Sequence, residues 1–348
     1  MIILLAALVV ALYLIQPIGT LYSMVLRSRI SRYAENATGL LAVGADLGLA
    51  GHSSGLVLPL DIKLKQLEVL HQAGADVIRV TQAYDPWIWA RSPNRTMRER
   101  GNRLIRDTDV IIAEIRGLGH EVMIADAGAE IYWREPVSWE EFKSAHLERI
   151  ENLTRRYRPR YYVLVKEPVW YSGMSWGEPG GMITDSVSPE MWVRHLEDCI
   201  ATVKSHSPET LSAIAAVPFL PESRRFFRLS AEVIGLDIMG MDVYRLKDLD
   251  PMVEMRSEVP IGKQAWILET WDGKPDEQDF QPWRERTGSL WVIMMSNLAK
   301  SQEMAGMVIF YSRRLSYSRD PRNLDELREA LEGRTRAFEV FRGVAHGS

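Results

Sequence analysis

The sequence predicts an α/β fold: one closed (β/α)8 barrel, preceded by an apolar membrane-anchor helix. Three observations carry that prediction. Short apolar runs typical of buried parallel strands alternate with helical patterns eight times. After residue 40 no linker or change of composition interrupts the alternation. The first 26 residues, by contrast, hold no charged side chain.

Within that leading stretch Ile2–Ile15 is apolar apart from Tyr13, and residues 1–26 together are long enough to span a bilayer. No Lys or Arg precedes the run and no small-x-small cleavage site follows it, so a retained anchor is expected and not a removed signal. Residues 27–38 then read as a connector and 39–344 as the barrel. Arg27, Arg29 and Arg32 alone would keep the barrel on the cytoplasmic side. Three Asn-x-Thr sequons, at Asn36, Asn94 and Asn152, oppose them and place the barrel outside the cell.

The elements follow in order. Leu40–Gly48 is the first strand, and Leu60–Gln72 is a helix with leucines at helical spacing. Ala75–Gln82 is the second strand. A long helix over Thr96–Leu118 is closed by Gly119 and leads to the third strand, His120–Gly128. Ser138 opens the next helix, with Glu141 completing a capping box, and Pro159 stops it after Tyr157. The fourth strand, Tyr161–Lys166, runs into Glu167 and Pro168. Ser188-Pro189 starts a helix at the position proline favours. Thr210–Phe219, Leu236–Tyr244, Gln264–Thr270 and Gly306–Tyr311 are strands five to eight. The helices among and after them are Glu222–Val233, Leu249–Ser257, Trp283–Met304 and Leu324–Phe341. An open doubly wound sheet is the competing topology, but it usually carries a glycine-rich phosphate loop. Gly44 and Gly48 lack the third glycine and the spacing.

Composition narrows the function. A net charge of −4 with no basic stripe argues against nucleic acid. The one cysteine, Cys199, forbids an internal disulfide and is expected to exclude a cysteine-based metal site. Asp46 and Asp126 end strands one and three, and His52 and His120 stand nearby in sequence. No two histidines have HxH or HxxxH spacing, so neither a metal nor any other cofactor is expected.

Two carboxylates carry the chemistry. Glu167 ends strand four and Glu269 ends strand seven, in YYVLVKEPVW and KQAWILETWDG. Strict alternation along Val163, Val165, Glu167 and along Ala265, Ile267, Glu269 aims both into the barrel at its C-terminal rim, where active sites of such barrels lie. Facing carboxyl groups are what glycoside hydrolysis needs, one as acid and one as nucleophile or base. Aromatic residues after strands, drawn from eleven tryptophans, suit sugar rings.

On these residues the chain resembles the retaining glycoside hydrolases of clan A, such as family 5 cellulases and mannanases and family 53 galactanases. The resemblance implies a carbohydrate substrate, a β-linked oligo- or polysaccharide, hydrolysed by double displacement. It makes Glu167 in Lys166-Glu167-Pro168 the acid/base and Glu269 in ILETW the nucleophile. Tyr244 in GMDVY and Arg79 in VIRVTQ match the tyrosine and arginine beside the nucleophile. Asp126, Lys166, Trp170, Trp176, Trp271 and Tyr311 are further candidate substrate-binding residues. Lys166 departs from the family, which places asparagine before the acid/base. That departure keeps a rival reading, a carbohydrate-binding barrel that has lost turnover.

Overall fold

In the computed structural model, the structure describes residues 19–47, 58–82, 86–126, 137–168, 183–272, 283–310, 312–316 and 323–347. Eight parallel strands close on themselves in sequence order: β1 (Ala42–Asp46), β2 (Val77–Gln82), β3 (Glu121–Asp126), β4 (Tyr161–Lys166), β5 (Leu211–Ala216), β6 (Ile238–Val243), β7 (Gln264–Thr270) and β8 (Gly306–Ile309). Pairing of β8 with β1 completes the barrel. The helices between them are α2 (Leu60–Gln72), α3 (Pro86–Ala90), α4 (Arg95–Gly117), α5 (Trp139–Tyr157), α6 (Pro189–His206), α7 (Pro221–Ser230), α8 (Leu249–Ser257) and α9 (Trp283–Ser301), with α10 (Leu324–Ala330) and α11 (Arg336–Ala345) after β8. Start signals in the sequence act as expected: Ser138 and Glu141 form the capping box of α5, and Ser188 caps α6 ahead of Pro189.

Two apolar layers result from the period-2 alternation. Val77, Met123, Val163, Ala213, Ile238, Trp266, Leu268 and Val308 fill the lumen, while Ile78, Ile124, Tyr162, Ile214 and Ile267 face the helices. Trp266 is the largest lumen side chain, and small residues make room for it. A Cβ on Gly306 would come within 2.3 Å of the Trp266 ring, and one on Gly240 within 2.1 Å of Leu268.

Alternation fails at two points, and both failures shape the site. On β7 the expected inward face of Ala265 and Ile267 turns out to pack against the helices. A register shift then places Asp242 of β6 beside Glu269, with Leu268 as the extra residue. This β-bulge returns Glu269 to the lumen. On β4 a second shift, between Val163 and Val165, leaves Leu164 as the extra residue. Val165 therefore faces outward, and Lys166, beside Ala215, faces inward.

The N-terminal segment also differs from expectation. Helix α1 covers 19–34, so the expected connector over 27–38 is largely helical. Its Leu26 is fully buried, the Tyr22 hydroxyl donates to Asp272 at 2.7 Å, and Arg29 pairs with Asp250 at 3.5 Å. Residues 19–26 thus pack on the barrel. Among the described residues no helix is long and apolar enough to cross a membrane. The Ile2–Ile15 run lies outside them. Of the sequon residues, Asn94 is the N-cap of α4, and Thr154 is buried within α5.

Candidate active site

At the C-terminal rim of the barrel, Glu269 is buried and meets two cations and one hydroxyl donor. Arg79 Nη2 lies 2.8 Å and Lys166 Nζ 2.5 Å from its Oε1, and the Tyr244 hydroxyl donates to Oε2. Arg79 comes from the inward face of β2. Its Nε donates to Asp46 at 2.9 Å and its Nη1 to the Leu268 carbonyl at 2.7 Å. The bulge turns that carbonyl out of the sheet ladder, so one irregularity both aims Glu269 and anchors the arginine that holds it. Thr81 adds a hydrogen bond to Asp46 at 2.6 Å.

Glu167 follows β4 with a left-handed backbone, φ +46°, and its amide donates to the Ala215 carbonyl at 2.8 Å. A non-glycine residue held at positive φ is a strained conformation that recurs at functional sites. Carboxyl oxygens of Glu167, Asp242 and Glu269 all lie within 4.8 Å of one another, with Glu167 half-buried and the other two buried.

Electrostatics separate these acids. Burial pushes the Glu269 pKa up, but Lys166 and Arg79, with hydrogen bonds from Lys166 and Tyr244, outweigh it and hold the group below the usual carboxylate range. Glu269 is therefore ionised. Asp242 moves the other way. Desolvation, and then repulsion from Glu269 and Glu167, raises its pKa well above the usual value. Its oxygens accept no hydrogen bond from a described residue. Lys166 is desolvated as well, but the pull of Glu269 and Glu167 raises its pKa and keeps it charged.

The structure thus gathers Glu167, Glu269, Arg79, Lys166 and Tyr244. Two other predicted residues point elsewhere. Asp126 sits on the helix-facing side of β3, where Arg149 pairs with it at 3.2 Å and Tyr162 donates to it at 3.2 Å. Its parity with Val122 and Ile124 decides that direction. Trp271 is buried against α9, and a Cβ on Gly288 would lie 3.5 Å from its ring. Trp170, Trp176 and Tyr311 lie outside the described residues, as does His52. Asp46 belongs to the Arg79 network, whereas His120 meets His71 beside the start of β3, at the opposite end of the barrel.

Two site residues escaped the sequence reading. Phe310 forms an apolar floor, its ring 5.0 Å from the Arg79 guanidinium and 5.1 Å from Lys166 Nζ. Asp242 had a legible signal, since it shares the inward parity of Ile238 and Gly240 and lies two residues before Tyr244.

Similar architectures are found among solved glycoside hydrolases. A family 5, subfamily 18 enzyme from Streptomyces cattleya, solved with Manβ1-4GlcNAc, superposes with a TM-score of 0.61 at 15% identity, over 88% of this chain and 80% of that one. A family 10 endoxylanase from a sugarcane soil metagenome gives 0.57 at 12%, over 90% and 98%. A β-glucosidase from Thermotoga maritima in complex with castanospermine gives 0.54 at 9%, over 79% and 89%. No protein-family model and no curated protein sequence matches the chain. At these identities the likeness shows the fold, an eight-stranded barrel of the kind that clan A glycoside hydrolases use.

Proposed function

We propose that the chain is a retaining glycoside hydrolase acting on a β-linked oligo- or polysaccharide, with Glu269 as nucleophile and Glu167 as acid/base. The observation that carries this reading is the approach of the two carboxyl groups to within 4.8 Å, oxygen to oxygen. Retaining enzymes hold the carboxyl groups about 5–5.5 Å apart and inverting ones roughly 6.5–9.5 Å, and so close an approach of oxygens fits the shorter spacing better. In the first step a Glu269 oxygen attacks the anomeric carbon. The glycosidic C–O bond breaks as Glu167 protonates the departing oxygen. In the second step Glu167 takes a proton from water, whose oxygen attacks the same carbon and releases Glu269. Arg79 and Tyr244 keep the nucleophile ionised and oriented.

The test is a screen on nitrophenyl β-glycosides and plain polysaccharides, followed by trapping with a 2-deoxy-2-fluoro glycoside. A mass adduct on Glu269 is expected. An adduct on another residue, or turnover with inverted anomeric product, would refute the assignment. One observation favours a second reading, a carbohydrate-binding barrel without turnover: the Lys166 ammonium rests on the proposed nucleophile at 2.5 Å. Sugar binding by calorimetry with no adduct and no turnover would decide for it.

The apolar run over Ile2–Ile15 supports membrane attachment of this barrel, and the sequons at Asn36, Asn94 and Asn152 support a domain outside the cell. Recovery of the native chain in a carbonate-washed membrane fraction, with a mobility shift on deglycosylation, is the expected result.

A further inference from the structure

Away from the rim, α5 and α6 enclose a second cluster of functional side chains. His146 of α5 faces His195 and Cys199 of α6, which lie one turn apart on the same helix face. All three are at most 1% exposed. His146 Nδ1 is 2.8 Å from His195 Nε2, and Cys199 Sγ is 3.5 Å from His195 Nε2 and 4.0 Å from His146 Nδ1. The circle through three points at those separations has a radius of about 2.0 Å, from the product of the sides over four times the enclosed area. That is near the roughly 2.0–2.1 Å of metal–imidazole and about 2.3 Å of metal–thiolate bonds.

We propose that His146 Nδ1, His195 Nε2 and Cys199 Sγ together bind one monovalent copper ion as its three ligands inside the helix layer. Three observations select that ion. Among the described residues no fourth His, Cys, Asp or Glu donor joins the three, whereas structural zinc takes four. Trp139 and Phe142 wall one side of the cluster, with ring centroids 5.4 Å from His195 and 5.3 Å from His146. Charge then decides. Copper(I) displaces the thiol proton to solvent, and the resulting Cu(I)–thiolate unit is neutral. Behind His146 the Asp126 carboxylate is already balanced by Arg149, so a divalent ion would leave one uncompensated positive charge in the buried helix layer. Thiolate with imidazole is also a donor set that suits Cu(I).

Asp126 completes the design from behind. Its carboxylate lies 3.5 Å from His146 Nε2, the ring nitrogen turned away from the metal position. Arg149 and Tyr162 hold it there. A carboxylate on the far nitrogen of a metal-binding imidazole orients the ring and raises its basicity.

The experiment uses the full-length chain, produced in copper-supplemented cells and purified without oxygen. About one copper per chain is expected, with an X-ray absorption spectrum of one sulfur and two nitrogen neighbours. A folded Cys199→Ser variant should lose the metal to a Cu(I) chelator that leaves the parent loaded. Asp126→Asn should weaken binding by roughly 10–100-fold while the fold persists. A parent that retains no copper, a four-coordinate zinc in its place, or a folded Cys199→Ser that keeps its copper would each overturn the proposal. Should Cys199→Ser fail to fold, the spectrum of the parent decides alone. None of these readouts depends on glycoside turnover.

Discussion

Replacing Lys166 by asparagine probes the site most directly, because its ammonium rests on the proposed nucleophile. Lys166 Nζ lies 2.5 Å from Glu269 Oε1 and is almost fully buried. An opposite charge at such range lowers a carboxyl pKa by roughly 1–3 units. Each unit corresponds to about 1.4 kcal/mol in favour of the anion, so Lys166 stabilises ionised Glu269 by about 1.4–4 kcal/mol. Forming the glycosyl ester consumes that anion. With about half of its charge lost at the transition state, Lys166 opposes the first step by roughly 0.7–2 kcal/mol, or ~3–30-fold in rate. Lys166→Asn should therefore raise kcat/KM at neutral pH by that factor. It should also move the acid limb of the pH–rate profile upward, because Glu269 keeps only Arg79 and Tyr244. The assay is kcat/KM on an aryl β-glycoside between about pH 3 and 9, with unfolding midpoints as a control. An unchanged acid limb and rate in a folded variant would show that Lys166 does not act on Glu269, and the electrostatic account of the site would fail.

Three further outcomes are expected. Glu167→Ala should lose far more rate on natural glycosides than on those with good leaving groups, and azide should restore part of it. Equal losses on both substrates would remove Glu167 from the acid role. Asp242 has its folded-state pKa raised, so its contribution to stability is full below the unfolded value near 3.9 and is lost as pH climbs toward the folded value. Asp242→Asn should accordingly gain melting temperature relative to the parent as pH rises above about 4, and a difference flat in pH would contradict the raised pKa. Deleting residues 1–18 should leave the urea midpoint unchanged. Deleting 1–38 should lower stability by at least about 2 kcal/mol, since burial of Leu26 alone accounts for roughly 1.5–3; equal midpoints would show that α1 is dispensable.

Much of the molecule is legible in its sequence. Eight alternations of strand and helix, a capping box at Ser138 and Glu141, and glutamates closing two apolar strands are local patterns that follow from backbone geometry. They suffice for the barrel and for its pair of acids. They were not enough for direction. Strict alternation would have kept Ala265 and Ile267 in the lumen, and Lys166 is expected at the cleft because the strand ends there. Bulges at Leu268 and Leu164 reversed the first and supplied the means of the second, and a bulge arises from pairing with a neighbouring strand, which a single strand's pattern does not contain. Asp126 likewise ends a strand like the others, yet only its parity on β3 tells which side it serves. The His146, His195 and Cys199 cluster has no spacing signature because its members come from two helices that meet only in the folded chain. Local periodicity determined which elements form and roughly where the acids stand. Register between strands and contact between helices, both long-range, decided which side chains meet and which charges face one another.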